Sequence, residues 1–217
     1  MPSALKTLEF FAAACVTAEF VGYWLHILLH SDKIKFLSRS HMIHHLISYP
    51  PDKPMRPSEE YMLSTQGRAS VLGIGMEWLA PIAAIMSALE LALRAAGASA
   101  LHQAVFVVTA LGWGTAMFWY MHDAMHLKRF WMEKNTALGR WFLRARKRHD
   151  IHHMRIADSG LMNRNFGICF FFFDWVFGSL QPEHEKFNLA GYEAAKKRFS
   201  YLYQRDEERG ARQKAAY

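Results

Sequence analysis

The chain has 217 residues, 52% of them hydrophobic and 21% charged, with a formal net charge of +7. Its mean hydropathy of −0.06 averages long apolar runs with the basic segments that lie between and after them. That patterning excludes an ordinary soluble domain and points to a single integral membrane domain over 1–217.

The basic excess flanks apolar spans and includes no recognised nucleic-acid motif, so membrane orientation accounts for it and nucleic acid is not an expected partner. Cys15 and Cys169 lie in apolar stretches, and no Cys-x-x-Cys pair is present to hold zinc or an iron–sulfur cluster. The N-terminus makes a poor signal peptide, with Lys6 its only early basic residue and Glu9 close behind. The lipoprotein-like Ala-Ala-Ala-Cys ending at Cys15 is read as coincidence, because cleavage there would cut the first apolar run.

In chain order, the first predicted span runs from about Leu5 to Leu29, interrupted by Glu9 and Glu19. Pro50, Pro51, Pro54 and Pro57 keep the following stretch extended, with a short helix expected after Ser58. The second span is predicted from about Ala69 to Ala96, with Glu77 inside it and Pro81 as a kink. An intramembrane carboxylate is costly, so Glu77 should face a polar partner in the bundle. Gly97-Ala98-Ser99 forms a turn, and the third span continues from about Leu101 to Met125. From Thr136 to Met154 the pattern predicts an interfacial helix, with Arg140, Arg144 and Arg148 on one face and Trp141, Phe142 and Leu143 available to lipid. Phe166 to Leu180 is too short for a span and reads as re-entrant or interfacial. The charged tail after Gln181 is expected to be a solvated helix.

Charge sets the orientation. Segment 31–68 holds six Lys/Arg and segment 127–217 holds eighteen, whereas the turn after Arg94 holds none. The positive-inside rule therefore makes both basic segments cytosolic. The protein is expected in a bacterial cytoplasmic membrane, or in the endoplasmic reticulum if eukaryotic.

Ten of the twelve histidines form four clusters in alternating order. His26 and His30 read H-x-x-x-H; His41, His44 and His45 read H-x-x-H-H. His122 and His126 then repeat the first spacing, and His149, His152 and His153 the second. Residues three and four apart share a helix face, so each cluster can present its imidazoles to one point. Neutral imidazole suits iron, zinc, copper or nickel, and ten rings are enough to surround two ions. Two clusters end spans and two lie in cytosolic segments, so all four converge at one membrane face. A metal transporter should instead hold ligands near the midplane with access from both sides. His102, at the opposite end of the third span, and His184, in an exposed acidic stretch, are left outside the site.

The alternating order resembles the fatty acid hydroxylase/sterol desaturase superfamily of membrane di-iron enzymes. Asn165-Phe166-Gly167 followed by Asp174-Trp175-Val176-Phe177-Gly178 is similar to that family's closing signature. His41-Met42-Ile43-His44-His45 followed by Tyr49-Pro50-Pro51 is similar to its fatty acid hydroxylase members, and Glu19 before His26 with His122-Asp123 resembles carotenoid hydroxylases. Larger relatives carry an additional span or a fused cytochrome b5 domain, and neither is expected here. The resemblance implies an all-α membrane protein of about three transmembrane helices plus interfacial helices. It also implies two iron ions held by the ten clustered histidines at the cytosolic face, replaceable by zinc on purification. Dioxygen would be co-substrate, a lipid the substrate, and a cytochrome b5-like or ferredoxin-like protein the electron donor. Hydroxylation is the expected reaction; lipid or sterol desaturation and carotenoid hydroxylation are the alternatives within the superfamily. Ligating histidines commonly donate their other N–H to a carboxylate or carbonyl, which makes Glu19, Asp123, Asp150 and Asp174 the candidate partners. Phe170 to Phe173 are candidates to line a substrate path.

Overall fold

A computed structural model describes residues 4–62, 70–71 and 74–203. Helix α1 (Ala4–Leu29) is followed by α2 (Lys35–Ile43), which runs on into a π-helical turn at His44–Ser48. A minimal antiparallel pair, β1 (Ser70–Val71) and β2 (Ile74–Gly75), precedes a 3₁₀ turn at Met76–Trp78 and helix α3 (Leu79–Ala95). Helix α4 (Ala100–Thr115) passes through a second π turn (Ala116–Met121) into α5 (His122–Met125). Helices α6 (Gly139–Met154), α7 (Phe172–Val176) and α8 (Leu189–Arg198) complete the described chain.

Among the described residues, three helical stretches are long and apolar enough to span a membrane: Ala4–Leu29, Met76–Ala95 and Ala100–Met125. The protein is an all-α membrane protein. α1 and α4 pack directly through Ala14, Phe106 and Ala110, and the two alanines let the backbones approach. α3 buries none of its own residues. Leu5, Leu8 and Val16 on α1, Leu91 on α3 and Val108 on α4 are exposed, a surface only hydrocarbon would cover without cost.

Several expectations need correction. The second span starts at Met76, not Ala69, because Gly75 is extended (φ −60°, ψ 143°) and the short apolar run before it pairs as strand. Periodicity cannot separate such runs from helix. Pro81 is the third residue of α3, in the first turn, where a missing N–H costs nothing. Glu77 stays within the span, in the 3₁₀ turn that opens it, and has the polar partner expected of it: Ser40 Oγ donates to its Oε1 at 3.2 Å. Residues 58–62 are not helical; 63–69 lie outside the described residues.

Phe142 does not face lipid. It is fully buried among Met121, Met125, Met132 and Phe171, with the Arg146 guanidinium 4.6 Å over its ring, while Leu143 is exposed. The tail is not a free solvated helix either. Tyr192, Ala195, Phe199 and Leu202 recur at helical spacing and pack on Met42, Ile43 and Leu46, the back of the turn that carries His41, His44 and His45. Phe199→Ala is therefore expected to cost about 3–5 kcal/mol, the range for emptying a buried phenylalanine site. A melting temperature equal to wild type in the same detergent would contradict this anchoring role.

Candidate metal centre

The ten clustered histidines meet in two groups. His26, His30, His41, His45 and His152 place one ring nitrogen each within 4.8 Å of one another, and so do His44, His126, His149 and His153. His122 stands beside the second group, its ring centroid 4.7 Å from that of His44 and 4.9 Å from that of His149.

Helix geometry explains the sorting. Residues four apart share a face, whereas neighbours are rotated by about 100°. Each H-x-x-H-H motif therefore splits, against the expectation that every cluster would present its imidazoles to one point. His41 and His45 serve the first group while His44 turns to the second; His149 and His153 serve the second while His152 turns to the first. Each half of the chain builds most of one group and contributes one histidine to the other. The π turns sit at the points of use, one carrying His44 and His45 and the other ending at His122.

Backbone carbonyls hold the rings in place. His26 Nδ1 donates to Phe166 O (2.5 Å), His126 Nδ1 to Met55 O (3.2 Å), His152 Nδ1 to Arg164 O (2.7 Å) and His153 Nδ1 to Tyr49 O (3.3 Å). The Tyr61 hydroxyl meets His44 Nδ1 at 3.1 Å. A proton kept at Nδ1 leaves Nε2 as a bare lone pair. Yet Nε2 atoms face one another: His30 with His152 and with His41 at 3.1 Å, His44 with His153 at 3.2 Å, His126 with His149 at 2.9 Å. Shared protons cannot satisfy the set. His26 Nε2, His122 Nε2 and both ring nitrogens of His45 are buried without a hydrogen-bond partner. At metal–imidazole bonds of about 2.1 Å, two ligands at a right angle stand about 3.0 Å apart, the spacing these pairs have. The donor set thus fits a pair of imidazole-bound transition-metal ions.

The candidate carboxylates occupy four different positions. Asp123 Oδ1 lies 3.1 Å from His122 Nδ1 and orients that ring directly. Asp174 acts one step removed: it accepts from Phe166 N, Gly167 N and Ser179 Oγ, all at 2.7 Å, and so shapes the loop whose Phe166 carbonyl receives His26. Burial pushes its carboxyl above the ordinary value, and these three donors pull it back down. Asp150 is held in a two-point pair with Arg56 (2.8 and 2.9 Å) that fixes the segment presenting Met55 O to His126. Glu19 accepts from Trp113 Nε1 at 2.8 Å on α4, so its hydrogen bond joins two spans and does not go to an imidazole.

His102 lies at the far end of α4, stacked on Phe10 (4.6 Å between centroids) and bonded to Ser99. His184 is exposed and joins neither group. Nothing in the spacing of Tyr61 or Arg56 marks them for the site; only the folded segment between α2 and α3 brings them in.

An apolar cavity of about 320 Å³ opens beneath the histidines, between α1, α3 and α4, and His26, His41 and His122 close its upper end. Its walls are chiefly alkyl, including Val21, Leu25, Ile82, Ile85 and Met86. Of the phenylalanine run, Phe170 and Phe172 are exposed and Phe171 is packed in the core, and the cavity is lined by none of the four.

Burial and the neighbouring imidazoles hold His45, His149, His152 and His153 well below the ordinary imidazole range. They are neutral near pH 7, as ligands must be. In the unfolded chain the same groups take up protons below about pH 6.5. The unfolded state therefore binds more protons, and the stability these groups contribute is full above that pH and falls as the pH drops. The melting temperature of metal-depleted protein is expected to hold from pH 8 to about 6.5 and then decline toward pH 5. A flat profile would contradict the buried neutral cluster.

No curated protein and no solved structure matches the chain. The family model described as fatty acid hydroxylase matches residues 11–179, a stretch that contains all ten clustered histidines, Asp174 and Ser179. With that match joined to two imidazole groups at one end of three apolar helices, the chain belongs to the fatty acid hydroxylase family, within the fatty acid hydroxylase/sterol desaturase superfamily.

Proposed function

We propose that this protein hydroxylates a lipid, a fatty acyl chain or a related hydrocarbon, using dioxygen and two iron ions held by the two histidine groups. The observation that carries the reading is the apolar cavity that ends on His26, His41 and His122. Walls that are chiefly alkyl favour a hydrocarbon over a polar ligand, and they lead one of its carbons to His26, His41 and His122. The balanced reaction takes one C–H bond, one dioxygen, two electrons and two protons to one C–OH bond and one water. Iron supplies the dioxygen chemistry that no side chain provides. Zinc fits the same imidazoles and can replace iron on purification, without the redox chemistry.

The chain's own residues position and shield. Carbonyls of Met55, Tyr49, Arg164 and Phe166 fix the rings, Asp123 orients His122, and the Tyr61 hydroxyl holds His44. The cavity walls keep water from the carbon being oxidised. The two electrons come from a separate donor, of cytochrome b5-like or ferredoxin-like kind. The basic segments 31–68 and 127–217 support a cytosolic site, in a bacterial cytoplasmic membrane or the endoplasmic reticulum.

Two measurements test this reading. Turnover under labelled dioxygen is expected to yield a lipid carrying one labelled oxygen; a product lighter by two hydrogens and free of label would overturn hydroxylation in favour of desaturation. In intact cells, an impermeant thiol reagent is expected to label Ala96→Cys from outside and Lys134→Cys only after the membrane is opened. The reverse pattern would overturn the cytosolic placement.

A further inference from the structure

Gly114 lies in α4, eight residues before His122, and lines the cavity. A glycine inside a helix costs about 1 kcal/mol relative to alanine, so its presence asks for a reason. Backbone conformation does not supply one, since the positive-φ glycines among the described residues are Gly97, Gly160 and Gly178. Packing does not supply one either, since a Cβ added at Gly114 would meet no heavy atom within 4 Å. Gly22, across the same cavity, is different: the Phe118 ring occupies the place of its missing side chain. What a side chain at Gly114 would take up is cavity space.

The cavity is also aimed. Its upper end carries His26 and His122, each at least nine-tenths buried and each with an Nε2 that has no partner. From there it descends along α4 to Ala110, where Leu89 of α3 and Ala18 of α1 also line it. Allowing for the π turn, Gly114 stands about 11 Å below His122 and Ala110 about 17 Å below it. An extended alkyl chain advances about 1.25 Å per carbon, so these depths correspond to roughly nine and thirteen carbons.

We propose that Gly114 is a specificity-determining residue: by leaving the cavity open at mid-depth it admits a hydrocarbon tail of about thirteen carbons below the carbon presented to the histidines. The tail descends from the site into the bilayer, so the carbon presented lies toward the head-group end of the lipid. This rests on the lipid substrate proposed above and adds which chain the site accepts.

The test is binding, which needs no turnover. Purified iron-loaded protein is mixed with saturated fatty acids from octanoic to eicosanoic acid, and the retained acids are identified by mass spectrometry. Gly114→Leu places a side chain in the cavity without a clash. Gly112→Leu is the matched control, because a Cβ there also meets nothing within 4 Å and Gly112 lies outside the cavity. Wild type and Gly112→Leu are expected to retain palmitic acid and longer chains. Gly114→Leu is expected to lose them by about a hundredfold relative to decanoic acid, the effect of roughly four methylenes left unburied. The same long-chain profile in Gly114→Leu and Gly112→Leu would overturn the role of Gly114, and so would a wild type that retains no fatty acid. A shifted profile in protein that inserts no labelled oxygen supports this role and contradicts only the hydroxylation reading.

Discussion

Ten imidazoles packed together, nine of them buried and His41 half-buried, are unstable company unless something positive lies among them. Each ring nitrogen that faces the cluster has given up water, and the carbonyls of Phe166, Met55, Arg164 and Tyr49 hold protons on the far side of four rings. The inward nitrogens are left as lone pairs about 3 Å from one another. Without a cation each such group would carry the cost of an unsatisfied buried polar atom, about 1–3 kcal/mol. The rest of the fold serves to keep that arrangement from relaxing. α8 packs behind the α2 turn, Arg146 pairs with Glu133 at 2.8 Å beneath α6, and Asp174 ties down the loop under His26.

The exchange of His44 and His152 between the groups couples the two halves of the chain. Neither half can complete its group alone, so α1–α2 and α4–α6 must dock before either group forms. The π turns make the exchange possible in a short length of helix. An extra residue per turn shifts the face presented by His44 and His45 and the approach of His122 without breaking the chain direction.

Much of this was legible in the residues. The three spans and the four clusters show because length, apolarity and i, i+4 spacing are local properties. The separation of His44 from His45 departs from the expectation that each cluster meets at one point; neighbours on a helix diverge by about 100°, and which neighbour turns to which group is decided by the partner helix. What spacing does not disclose is anything decided by long-range contact. Glu19 shares a face with His26, yet its partner Trp113 comes from another span. Asp150 stands next to His149, yet Arg56, far away in the chain, claims it. The stripe Tyr192, Ala195, Phe199, Leu202 was present in the tail but masked by the charges around it. The early start assigned to the second span came from hydropathy, which does not distinguish a strand pair from the first turn of a helix.

The exchange of His44 and His152 implies two ion sites, each completed by a histidine from the opposite half of the chain. The decisive measurement is elemental analysis of monodisperse wild type, His44→Ala and His152→Ala at equal protein concentration. Two transition-metal ions are expected per wild-type chain, and in each variant weakened retention of one ion while the other stays bound. A folded wild type that binds a single ion or none, or variants that both lose the same ion as judged by its spectroscopic signature, would contradict it.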